Sequence, residues 1–108
     1  MKVLLLGAYG NTGRQVLKHM LSLSDAFITV AGPDAVRIGE LVSDIPDTQK
    51  SRVAGRALDA MKTGDLKEAL RDADIWINCA GLTKNYPIFV DALAETNCDN
   101  LEIGRAHV

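Results

Sequence analysis

Apolar positions along this chain fall into two kinds of block, short unbroken runs and longer stripes at helical spacing, and the two kinds alternate. Lys2 to Leu6 is a run rich in Val and Leu, the pattern of a strand buried on both faces. It leads straight into Gly7-Ala8-Tyr9-Gly10-Asn11-Thr12-Gly13. From Arg14 onward Val16, Leu17, Met20 and Leu21 form one apolar stripe with Arg14, Gln15 and Lys18 on the polar side, predicting a helix that ends near Ser22 to Ser24. Phe27 to Ala31, β-branched and aromatic, predicts a second buried strand stopped by Gly32-Pro33 and closes a βαβ unit.

The alternation continues. Ala35 to Ile45 carries Val36, Ile38, Leu41 and Val42 and stops before Pro46, a second helix whose internal weakness is Gly39. Ser51 to Leu58 is assigned as a third strand because of the alternation, although Gly55 interrupts it. Asp65 with Glu68 three residues on predicts an N-cap and a short third helix through Arg71. Asp74 to Cys79 supplies a fourth strand around Ile75, Trp76 and Ile77. A last helix has Pro87 in its first turn and Ile88, Phe89, Ala92 and Leu93 inward, and Asn100 to Ile103 ends the series as a fifth strand.

Strict β-α alternation with short connections implies parallel strands joined by right-handed crossovers. The fold class is therefore α/β: a doubly wound parallel sheet, Rossmann-like, five strands in the order 3-2-1-4-5, in three layers α/β/α. At 108 residues there is room for one core only. Hydrophobic residues at 47% and charged residues at 24% are ordinary for a globular domain and exclude disorder. A formal net charge of −2 without a run of like charges speaks against nucleic acid as a partner. The apolar run Val3 to Leu6 is too short for a membrane span or a signal peptide, so no membrane is expected and the chain reads as cytoplasmic.

The chemistry is concentrated in the first loop. Its G-x-x-G-x-x-G pattern follows a buried strand and opens an amphipathic helix, the context in which such glycines bind a dinucleotide. Gly7 permits the turn out of the strand, Gly10 lets backbone approach a pyrophosphate, and Gly13 allows close helix packing. The free N–H groups around Asn11, Thr12 and Gly13 would meet the phosphates. A Walker loop is excluded, since Gly13 is followed by Arg14-Gln15 and no Mg²⁺-holding hydroxyl stands in place. Asp34, beyond the second strand, is placed to accept from an adenosine ribose hydroxyl, which favours NAD, or else to cap the second helix. Arg37, one turn on, keeps NADP open as the cofactor. Asp59, after the third strand, is a candidate acceptor for the adenine amino group or another helix cap.

Catalytic and metal sets are not legible. Cys79 and Cys98 lack CxxC spacing and read as buried thiols. His19 and His107 adjoin no Ser or Cys nucleophile, and neither Tyr86, with Val90 four residues on, nor Tyr9, with Gly13, makes a Tyr-x-x-x-Lys pair for proton transfer.

Four segments carry a family likeness: the loop Gly7 to Arg14, Val30-Ala31-Gly32, Asp74 to Gly81, and Tyr86-Pro87 with the helix to Glu95 and the strand Asn100 to Gly104. On them the chain resembles the N-terminal NAD(P)-binding domain of the saccharopine dehydrogenase family. The resemblance implies an NAD(P)-dependent oxidoreductase with a separate substrate domain. It assigns the loop Gly7 to Gly13, Tyr9 included, to the pyrophosphate, and the turn Asn78-Cys79-Ala80-Gly81, with Ala80 and Gly81 as contacts, to the ribose side. The sequence departs from the family in having Pro33 where an Arg often meets the 2′-phosphate, Leu82 where Pro follows the Ala-Gly turn, and Asn100 and Glu102 in the fifth strand.

These readings make residues 1–104 one dinucleotide-binding domain with 105–108 a tail, a fragment of a larger enzyme whose small-molecule substrate is bound only in the full-length protein. The oligomeric state, a homodimer included, stays open. The Gly-Asn-Thr-Gly loop is also shared with atypical short-chain dehydrogenases and with NmrA-like regulators, which bind the dinucleotide without chemistry, and these are the alternative.

Overall fold

The computed structural model describes residues 1–8, 10–59, 62–79 and 99–102. Its strands are β1 (Lys2–Leu6), β2 (Phe27–Gly32), β3 (Val53–Ala57), β4 (Ile75–Asn78) and β5 (Asp99–Glu102), and its helices are α1 (Asn11–Leu23), α2 (Ala35–Ser43) and α3 (Thr63–Arg71). All neighbouring strands pair in parallel in the order β3-β2-β1-β4-β5, as the alternation of the sequence predicts. The last helix, Cys98 and the tail predicted from the sequence lie outside the described residues.

β1 explains why its sequence is an unbroken apolar run. Leu4 and Leu6 pack on one face with Ala31, Trp76 and the α3 residues Leu66, Ala69 and Leu70. Val3 and Leu5 pack on the other with Ile28, Val30, Ile77, Leu17 and Leu21 of α1, and Ile38 and Leu41 of α2. A central strand covered on both sides has no face left for polar residues. Phe27, by contrast, is 55% exposed although it opens β2. It lies on the α3 face, paired with Lys2 at the strand ends, and lines a surface cleft there instead of the core.

Several boundaries move for reasons outside the local pattern. β3 starts at Val53 and not Ser51, because Lys50–Arg52 form a turn of 3-10 helix. That turn places Arg52 across the end of α1. Its Nη2 donates to the Leu21 carbonyl at 2.7 Å, and its Nη1 donates to those of Ser24 at 2.8 Å and Ala26 at 3.2 Å. α1 has no basic residue in its own last turn. A cation from a distant part of the chain therefore meets the negative helix end and its unpaired carbonyls.

α2 ends at Ser43 with Asp44 as its C-cap, two residues short of Ile45. Its Val36 is 70% exposed, since a residue two before the buried Ile38 points to the opposite side of a helix. α3 starts earlier than expected, with Lys62 as N-cap. The N–H of Leu66 donates to the Lys62 carbonyl at 3.1 Å and begins the helix ladder, so the chain is already helical before Asp65. The expected Asp65 cap is thus corrected: Asp65 lies inside the first turn, where its charge favours the helix end without capping it.

Candidate functional site

In an all-parallel sheet every strand delivers its following loop to the same edge. Here the register places the ends of β1, β2 and β4 side by side, with Leu6 opposite Ala31 on one flank and Asn78 on the other. The chain leaves β1 toward β2 and β3 and returns on its other side as β4, so the gap beside Leu6 and Asn78 is the switch point of the sheet. Short bonds tie the loops to this edge. Gly7 N–H donates to the Ala31 carbonyl at 3.2 Å, Cys79 N–H to Leu6 at 2.9 Å, and Leu58 N–H to Gly32 at 2.8 Å.

The three loop glycines have distinct roles. Gly7 has φ 80°, a left-handed conformation that side chains resist. Its carbonyl accepts from Gly10 N–H at 3.2 Å, closing a turn. Gly13 is buried in the first turn of α1, where an added Cβ would run into the Gly7 carbonyl oxygen and come within 2.7 Å of Ala8 Cα. The close approach is therefore between helix and loop backbone as much as between helix and sheet. Gly10 differs: it is exposed, its φ is −78°, and a Cβ there would meet nothing nearer than the Gly7 oxygen at 3.5 Å. The turn itself does not demand a glycine at position 10.

Gly10 is the N-cap of α1, with no side-chain cap bond and no acidic residue in the first turn. Its carbonyl accepts from Arg14 N–H at 2.9 Å, which begins the helix ladder. The N–H groups of Asn11, Thr12 and Gly13 have no partner within the helix, and Asn11 and Thr12 are exposed. The other described helices are different. Asp34 caps α2, its Oδ1 accepting from Val36 N–H at 3.1 Å and Arg37 N–H at 3.2 Å, and Asp65 stands in the first turn of α3. Only α1, among the described helices, offers a positive end with no carboxylate at it, and that end lies at the switch point. These residues fit a pyrophosphate: oriented donors, a helix dipole, and a cradle a side chain at position 10 would begin to fill.

The two outlying carboxylates separate. Asp34 is a genuine N-cap and is also exposed at the end of β2. Asp59 is half-buried beyond β3 and is not the N-cap of α3, a position that Lys62 holds. Tyr9, Ala80 and Gly81 lie outside the described residues. Cys79 is half-buried at the end of β4, and burial pushes its thiol pKa up. Asn78 beside it is a buried polar side chain, 3% exposed; its signal in the sequence is a polar residue closing the run Ile75-Trp76-Ile77. A cleft of about 380 Å³ on the α3 face, lined by Lys2, Phe27, Thr29, Arg56 and Asp72 among others, holds none of the predicted cofactor residues. Among those described, no group of His, Cys, Asp or Glu is arranged to hold a metal ion, and no helix is long and apolar enough to cross a membrane.

Comparison with solved structures agrees with this architecture. Saccharopine dehydrogenase (L-Glu forming) from Saccharomyces cerevisiae superposes with a TM-score of 0.77 at 23% identity, over 94% of this chain and 21% of that one. A short-chain dehydrogenase/reductase from Veillonella parvula in complex with NADP gives 0.75 at 23% identity, over 94% and 46%. Gre2 of Candida albicans in complex with NADPH gives 0.78 at 11% identity, over 94% and 36%. At these identities the likeness is one of fold, and the chain spans from about a fifth to under half of each protein's length. Curated proteins give no sequence match. The family model described as the saccharopine dehydrogenase NADP binding domain matches residues 3–102, so that the glycine loop, the sheet and the switch point together place the chain in that family of nicotinamide-dinucleotide-binding Rossmann domains.

Proposed function

We propose that this domain holds the dinucleotide of an oxidoreductase whose substrate is bound by residues outside this chain. The observation that carries the reading is the N-terminus of α1, left without a carboxylate at the switch point while Asp34 and Asp65 occupy those of α2 and α3. The chain's own part is binding and orientation. Asn11, Thr12 and Gly13 would donate backbone N–H groups to the pyrophosphate, Gly7 and Gly13 hold that backbone in place, and the ends of β2 and β4, with Asp34 beyond the one and Asn78 and Cys79 at the other, would flank the two nucleoside halves. The chemistry supplied by a bound nicotinamide is hydride transfer to or from a substrate.

Titration calorimetry of the purified chain with NAD(H) and NADP(H) tests this. Saturable binding of at least one of them is expected, together with no turnover of amino-acid substrates by the chain alone. Absence of heat with either cofactor up to millimolar concentration would overturn the binding role, and turnover by this chain alone would overturn the division of labour.

A further inference from the structure

NAD and NADP differ at the adenosine ribose, which carries a 2′-hydroxyl in one and a 2′-phosphate in the other, and in this fold that ribose is read just beyond the second strand. Here the chain runs Gly32-Pro33-Asp34 from β2 into α2. Asp34 has extended backbone, φ −100° and ψ 99°, and is exposed. Its Oδ1 accepts from both Val36 and Arg37 N–H, so two of the first-turn donors that could receive a phosphate are already used by a carboxylate. Oδ2 takes part in neither bond. Pro33 brings neither an N–H nor a charge. The position thus offers an acceptor suited to a hydroxyl and a negative charge that repels a phosphate.

We infer that the domain selects NAD(H) over NADP(H), and that Asp34 is the residue that does so, although the family takes its description from NADP. The inference rests on the dinucleotide reading of the glycine loop. Asp34 acts twice, as the cap that starts α2 and as the acceptor for the ribose. The cation of Arg37, in the first turn of α2, is the group that would favour the opposite outcome.

The test is direct binding of NADH and NADPH to the purified chain, by calorimetry or nucleotide fluorescence, with the urea-unfolding midpoint measured on the same preparations. NADH is expected to bind at least tenfold more tightly than NADPH. Asp34→Asn keeps a side-chain acceptor at the cap, since Asn and Asp cap helices equally well. Its unfolding midpoint should stay near that of the wild type while the preference moves tenfold or more toward NADPH. Asp34→Ser, a third capping residue, should do the same and serves if the Asn variant is unstable. Equal or tighter binding of NADPH by the wild type overturns the selection, even though the dinucleotide reading then stands. An unchanged preference in both folded variants overturns the role of Asp34. Binding of neither nucleotide by the wild type overturns the loop reading and this inference with it.

Discussion

Gly13 lies so close to Gly7 that a β-carbon on the first would collide with the carbonyl oxygen of the second. The contact joins the first turn of α1 to the residue that leaves β1, and both partners are backbone, so no side chain can rotate to relieve it. Gly13→Ala should therefore cost about 3 kcal/mol, the upper end of overpacking penalties. Gly7→Ala meets a different obstacle, its φ of 80°, and should cost roughly 1–2 kcal/mol. Urea unfolding of the two variants beside the wild type checks the ranking.

Gly10→Ala should separate binding from folding. The position has an ordinary negative φ and open space around it, so stability should change by less than about 1 kcal/mol, as a small entropic gain meets the poorer capping by Ala. Dinucleotide affinity should fall about tenfold or more, because one lost charge-assisted contact is worth roughly 1.5–3 kcal/mol. Calorimetry and urea melts on the same samples read both numbers. Unchanged affinity with a collapsed midpoint would mean that the glycines serve the turn alone.

Arg52 holds the far end of α1. Arg52→Met keeps much of the aliphatic stem and removes the donors to Leu21, Ser24 and Ala26. A loss of roughly 1–3 kcal/mol is expected, since hydrogen bonds to a charged group are among the stronger ones and this side chain is only half-buried. The unfolding midpoint should drop while cofactor affinity, which we propose is set at the opposite end of the helix, stays as it was.

Gly39 in α2 is a site for gain. An added Cβ meets nothing within 4 Å, so Gly39→Ala should stabilise the domain by about 0.5–1 kcal/mol. Gly55→Ala is the contrasting control. Its Cβ would come within 2.8 Å of Ile38 Cγ2, and the same substitution there should destabilise. A rise in melting temperature for the first variant and a fall for the second is the expected pair.

Burial raises the pKa of Cys79, so its neutral thiol persists to higher pH than in an open chain. Alkylation at this residue, followed by mass spectrometry of its peptide, should be slower at pH 8 in the folded protein than in urea, and should accelerate as pH rises. The sign for stability follows. The folded state holds the proton more tightly, so this group's contribution is complete below the ordinary thiol value and is lost as pH climbs from there through the raised value of the folded state. The midpoint of unfolding should therefore fall, not rise, on the alkaline side.

Much of the candidate site was legible because its requirements are local. Gly7, Gly10 and Gly13 sit in one short stretch between a buried strand and an amphipathic stripe, and their spacing already implies a phosphate loop. What the spacing could not distinguish was which of these glycines the fold itself requires and which it does not. That division depends on a dihedral angle at Gly7, a backbone contact at Gly13 and open space at Gly10. Asp34 and Asp59 looked alike in the sequence, each an acid after a strand, and only the hydrogen bonds at Val36 and Arg37 and the cap at Lys62 tell them apart.

By itself the sequence determined the layered parallel sheet and its strand order. Burial on both faces writes itself as unbroken apolar runs, burial on one face as a helical stripe, and short right-handed connections then permit few topologies. Only the tertiary structure decided the rest. Gly55, which seemed to weaken β3, lies where α2 packs so closely that Ile38 and Val42 leave no room for a side chain. Arg52, unremarkable beside Lys50, closes a helix that ended many residues earlier. α3 begins where the N–H of Leu66 reaches the Lys62 carbonyl, not where an acid suggests a cap. Each of these is settled by atoms that meet across space or by a backbone bond that residue type does not record, and such contacts leave no periodicity in the chain.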